Sequence, residues 1–264
     1  MSKALAEKNV DQLPALASQF EEEANHGFEQ ADQDSYAVPF MSIIQSLSPQ
    51  RDKKDGAYID GAAEGMIFNS ATGELWDAED GKQPLKAIPV HFKRSFVEWG
   101  PRESGGGFVA EHTVEDGKEL LKSCVRNAKG QDELPNGNYL VDTRTHYIIA
   151  VHEDGTTEPA VINMSSTQTK KSRRWMTVMQ NLKMTGAGGR KFTPPMYSHY
   201  YELSTISESN DKGRWHGWSF KNVGVVDDND HFETAKAFRD AITAGNVKEA
   251  REEGSTKDSE VEDF

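Results

Sequence analysis

The chain has 264 residues, with 30 Lys and Arg against 43 Asp and Glu and a net charge of −13. A single cysteine, Cys124, excludes a disulfide framework and a Cys-based metal cluster. No apolar run reaches the roughly 18 residues that span a bilayer, and no signal-peptide pattern opens the chain, so a soluble, cytoplasmic protein is expected.

Residues 3–24 are rich in Ala, Leu and Glu and read as a helical arm interrupted near Pro14, with a polar linker to residue 35. The apolar stretch 36–47 reads as a short docking helix closed by Ser48-Pro49. Residues 64–68 and 74–76 flank an Asn-Ser-Ala-Thr-Gly turn, the pattern of a β-hairpin. Leu85 to Trp99 is a long strand pattern, with Ile88, Val90, Phe92, Arg94 and Phe96 assigned to one face. A short helix is expected through 114–126, and strands over 138–152 and, after a turn at Gly155, through Ala160, Val161 and Ile162.

The clearest helix spans 166–182, with Trp175, Val178, Met179 and Leu182 on one face. Ser165, Ser166, Thr167 and Thr169 are its capping candidates, and Gly186 to Gly189 its stop. Strands over 196–206 and 214–226 follow. A last helix over 231–244 turns Phe232, Ala235, Phe238 and Ile242 inward and stops at Gly245. This order predicts an α+β, mainly β chain: an acidic helical arm and linker at 1–35, an OB-like five-stranded Greek-key barrel core at 36–247 with peripheral helices, and a disordered acidic tail at 248–264.

The charge is uneven. Residues 1–35 carry 8 acidic and 2 basic side chains, and 248–264 carry 7 and 3. Residues 159–201 contain no Asp or Glu but hold Lys170, Lys171, Arg173, Arg174, Lys183, Arg190 and Lys191. Four of these cations crowd the start of a helix, where the macrodipole favours anions; such a placement suits phosphate binding better than isolated stability. Aromatic and basic residues interleave on the flanking strands, and single-strand binders combine such cations with rings on which bases stack. The expected phosphate contacts are Lys93, Arg94, Arg102, the seven cations above and Lys221; the expected base platforms are Trp99, Tyr200, Trp215 and Trp218.

Catalytic patterns are missing. Gly186-Ala-Gly-Gly-Arg-Lys lacks the spacing of a nucleotide-binding loop, the eight histidines form no HExxH pair, and no GxSxG elbow occurs. The expectation is therefore a non-enzymatic protein with no cofactor, no metal and no catalytic residues.

The chain closes on Asp258-Ser-Glu-Val-Glu-Asp-Phe264. This segment resembles the tails of bacterial and bacteriophage single-stranded DNA-binding proteins, which end in an acidic run closed by Phe. The resemblance implies an OB-fold, sequence-independent binding of single-stranded DNA in phage replication and recombination, and recruitment of replication and recombination proteins through Asp258, Glu260, Glu262, Asp263 and Phe264. It also implies that the tail competes with DNA for the basic groove. The chain departs from the bacterial form in lacking a long Gly/Pro/Gln-rich linker and in carrying the N-terminal arm. No membrane partner is expected, and homo-oligomerisation is left open. Two alternatives stand beside this reading: a strand-annealing recombination protein, and an acidic regulator that binds a host enzyme such as RNA polymerase.

Overall fold

The structure is a computed structural model, and the residues described are 14–24, 26–29, 37–101, 106–128, 130–211 and 213–250. The chain divides into two compact units, Met1–Ala37 and Val38–Phe264. In the first, α1 (Pro14–Glu22) starts at the proline, whose missing N–H costs a helix nothing in its first turn. The rest of the predicted arm and most of the linker lie outside the described residues.

The second unit is mainly β, with one antiparallel sheet strongly curled into a half-barrel. A small sheet comes first, from β1 (Met41–Ile43), β2 (Ile67–Asn69) and β3 (Leu75–Trp76). The large sheet begins with β4 (Leu85–Gly100), β5 (Gly107–His112), helix α2 (Val114–Leu121), β6 (Val125–Arg126) and β7 (Asp132–Glu133). It continues through β8 (Tyr139–Val151), β9 (Thr157–Met164) and helix α3 (Thr169–Asn181). The hairpin β10 (Met184–Thr185) and β11 (Lys191–Phe192) precedes β12 (His199–Asn210), β13 (Gly213–Val225) and helix α4 (Asn229–Thr243).

Strand β4 pairs with both β8 and β12, β8 also pairs with β9, and β12 also pairs with β13. The order β12-β4-β8-β9 is a Greek key, and α3 lies between the third and fourth long strands, as the OB-type order requires. The expected hairpin at 64–76 is formed by β2 and β3.

The curl leaves the third and fifth long strands, β9 and β13, unpaired with each other. Exposed backbone edges invite unwanted pairing and need cover. The segment 39–45 reaches both. The Val161 amide on β9 donates to the Pro39 carbonyl, and Phe40 bridges Val161 in parallel. At the other edge the Gln45 side chain accepts from the His216 amide and donates to the His216 carbonyl, both at 2.9 Å. The Gln168 side chain adds bonds to the His216 carbonyl and from the Trp218 amide. Residues 37–47 are thus not part of the docking helix expected over 36–47: an extended segment satisfies two sheet edges, which no helix could do.

The concave face of the sheet is filled by α3. Trp175 stacks on Phe220 at 4.2 Å and on His146 at 4.8 Å, above Ile148, Ala150, Ile162 and Leu203. The convex face packs Ile88, Val90, Tyr147, Val161 and Tyr200 against Ala235 and Phe238 of α4. Strand β4 serves both. A bulge between Pro89 and His91 shifts its register, so Ile88 and Val90 face α4 while Phe92 faces His146. The single-face assignment of these residues is corrected accordingly.

Two local details of α3 also differ. No hydroxyl caps it; Gln168 occupies the N-cap position and spends its side chain on β13. Its buried stripe runs through Ser172, Trp175 and Met179, with Val178 exposed. The helix ends at Asn181, and Gly186 to Gly189 instead form the turn of the β10–β11 hairpin.

Candidate nucleic-acid interface

The burial of Trp175 and Met179 turns the opposite side of α3 outward and leaves Lys170, Arg173 and Arg174 exposed. The hairpin continues directly from the C-terminal end of this helix, with Lys183, Arg190 and Lys191 exposed beside a half-exposed Phe192. Among the described residues none of these six cations has a carboxylate within 4.0 Å, whereas Lys82, Lys93, Arg94, Lys221 and Arg239 elsewhere do. Lys183 binds only the Thr193 hydroxyl.

Glu208 at the end of β12 organises one side of this face. Its carboxylate pairs with Lys171 of α3 at 2.8 Å and accepts from the Trp215 indole N–H of β13 at 3.2 Å. Lys171 is thereby neutralised, and Trp215, half-buried, is held beside the basic helix with Arg214 exposed next to it. An aromatic and a run of unpaired cations share one edge of the half-barrel.

Arg94 and Arg144 face each other across β4 and β8. Arg94 grips Asp142 with two hydrogen bonds of 2.9 and 2.8 Å, which raise its pKa, and the charge it carries is compensated. Arg144 reaches the same carboxylate only at 3.6 Å, and its pKa is pushed down by burial and by the nearby charges of Arg94 and Arg173. His146, two residues on, is fully buried; burial and then the Arg144 charge push its pKa to about 3. Its Nε2 bonds the Ser172 hydroxyl, tying β8 to α3.

Other expected site residues lie elsewhere. Lys93 points to the convex face, where Glu111 and Glu249 hold it, because side chains alternate along a strand. Lys221 is also on the convex side, paired with Glu202. Tyr200 is buried in the convex core, donating to or accepting from His231 beneath Lys86, and Trp218 is 2% exposed in the concave core. Neither ring presents a face to a base, so the platform assignment is corrected for both: hydrophobic packing claims them first. Trp99 packs edge-on to Phe108, about 16 Å along β4 from Arg94. Arg102 and the tail residues Asp258, Glu260, Glu262, Asp263 and Phe264 lie outside the described residues.

Sequence reasoning missed Arg144 as a member of this region. Its signal was the period-2 alternation that places it on the same strand face as His146 and Ile148. Away from this face, Glu74, His152 and Glu158 bring one potential ligand atom each within 4.8 Å of one another, a proximity that no spacing in the sequence indicates.

Residues 6–248 match the model of the family described as Pam3 phage gp34-like protein. The chain belongs to this family. The match takes in most of the N-terminal unit and every strand of the half-barrel, so the basic face lies within the family's shared region. No curated protein and no solved structure matches the chain.

Proposed function

We propose that this phage-type protein binds single-stranded DNA independently of sequence, as a coating or handling protein in phage replication and recombination, and acts by binding rather than catalysis. The observation that carries the reading is the run of six cations on α3 and the following hairpin that have no carboxylate partner among the described residues, in a chain whose net charge is −13. Holding like charges together without counter-charges is unfavourable in the free protein and becomes favourable when phosphates replace the missing carboxylates. Trp215 beside this run offers a π surface, and base stacking on such rings is indifferent to sequence. The acidic segment containing Asp258, Glu260, Glu262, Asp263 and Phe264 is proposed, on its sequence, to recruit replication and recombination proteins.

Titration of the intrinsic tryptophan fluorescence with oligo-dT at several salt concentrations tests the reading. Quenching is expected, and log K should fall with log salt by about 0.7 per phosphate contacted. Replacing Lys170, Arg174 and Lys191 together with Gln should flatten that slope by about 2. An unchanged slope and affinity would move the protein to the alternative of an acidic regulator.

A further inference from the structure

Among the described residues Arg144 is a largely enclosed cation of the concave face whose contact with a carboxylate, Asp142, is long. Its side chain is 12% exposed, and its Nε is buried with no hydrogen-bond partner. Buried charged donors are almost always satisfied, because leaving them bare costs as much as the bond they would make. Among the described residues the carboxylate paired with it, Asp142, already receives both hydrogen bonds of the Arg94 fork, and its contact with Arg144 is a long ion pair of 3.6 Å. Arg173 approaches from the first turns of α3, and its Nε has only a marginal 3.5 Å contact with the Thr169 carbonyl. Two guanidinium groups therefore share a single carboxylate, and Arg173, next to the Ser172 that bonds His146, adds a third positive charge near Arg144.

The geometry points to a built oxyanion pocket in which Arg144 and Arg173 bind one phosphodiester group of a nucleic-acid backbone, with Asp142 and Arg94 fixing the pocket's floor. The inference rests on the single-strand reading for the source of the phosphate, and on these residues alone for the pocket. Arg94 and Arg144 stand in register on paired strands, so their spacing is set by the sheet rather than by flexible side chains. The guanidinium fork matches two oxygens of a phosphate, and a bound oxyanion would give the terminal amino groups of Arg144 a closer partner than Asp142 at 3.6 Å. Burial first, and then the charges of Arg94 and Arg173, lower the pKa of Arg144 against the opposing pull of Asp142. The surface cations of the hairpin act as a general field; this pocket would hold one phosphate in a fixed position and set the register of the strand.

The test uses the full chain and two probes, inorganic phosphate and oligo-dT. Thermal unfolding is followed in phosphate and in chloride at equal ionic strength, for the wild type, Arg144→Gln, Arg173→Gln and, as a control on the convex helix, Lys236→Gln. Arg173 is exposed, so its variant keeps the test alive if Arg144→Gln fails to fold. The wild type and Lys236→Gln should gain stability in phosphate relative to chloride, and both arginine variants should lose that difference. Each arginine variant should bind oligo-dT roughly tenfold more weakly, with a salt slope smaller by about 0.7. Arginine variants that keep the phosphate gain and bind oligo-dT within twofold of wild type would overturn the pocket while leaving the single-strand reading intact. A phosphate gain that depends on both arginines, in a wild type that does not bind oligo-dT, would support the pocket and sink the single-strand reading.

Discussion

Gln45→Ala is expected to destabilise the half-barrel by about 2–4 kcal/mol, although Gln45 touches no functional residue. The side chain makes two bonds to the backbone of His216, each 2.9 Å. Each neutral bond contributes about 1 kcal/mol net, and the orphaned His216 amide adds a desolvation cost of about 1–3 kcal/mol. The His216 carbonyl keeps its weaker bond from Gln168, which holds the total below the full sum. Urea unfolding followed by tryptophan emission reads the change, since Trp218 sits two residues along the affected edge and is 2% exposed. Amide exchange at His216 should accelerate in parallel. Gln45→Glu, which keeps the acceptor and loses the donor, should fall between Ala and wild type. A loss under about 0.5 kcal/mol with His216 exchange unchanged would refute the claim that the 39–45 segment secures the seam between β9 and β13.

Four further outcomes follow from the structure. A methyl group at Gly117 in α2 would lie 2.2 Å from the Phe96 ring, so Gly117→Ala should lower the melting temperature and cost about 1–3 kcal/mol despite the better helix propensity of Ala. His146 is held neutral in the folded state with a pKa of about 3, while the unfolded chain takes up a proton near 6.5. Its contribution to stability is therefore present above about pH 6.5 and declines as pH falls toward 3, by up to about 1.4 kcal/mol per pH unit. Urea midpoints at pH 7, 6, 5 and 4 should show a shallower decline in His146→Gln; equal declines would assign the acid sensitivity to other groups. Trp218→Ala should cost about 3–5 kcal/mol of stability through the cavity it leaves. Trp215→Ala should weaken oligo-dT binding about tenfold with a small change in melting temperature, and the reverse pattern would exchange the roles of the two rings.

Much of the fold is legible because its periodicities are local. The alternation over 138–152 and the apolar faces of α3 and α4 report burial within a few residues, and the strand order places α3 between the third and fourth strands. The segment 36–47 misleads for a physical reason: its apolar residues serve a seam whose two edges lie in β9 and β13, far away in sequence. The bulge at Pro89 to His91 is equally silent, since no turn or glycine marks it while it exchanges the faces that Val90 and Phe92 occupy. At the candidate interface, the acid-free stretch 159–201 becomes β9, α3 and the β10–β11 hairpin, and Lys170, Arg173, Arg174, Lys183, Arg190 and Lys191 are exposed there. The aromatics do not sort themselves in the same way. Trp215 and Trp218, three residues apart on one strand, alternate to opposite faces, and what the sequence does not tell is which of the two faces is the core. Lys93 and Arg94, adjacent in sequence, end on opposite faces with acidic partners already in place.

Fluorescence anisotropy of dye-labelled oligo-dT and of duplex DNA, measured at equal salt with the full chain and with the Lys170→Gln, Arg174→Gln, Lys191→Gln variant, tests the central claim most directly. The account predicts that the wild type prefers the single strand and that the variant binds it at least tenfold more weakly with a flatter salt dependence. Equal binding by the two proteins, or no binding to the single strand at low salt, would contradict it.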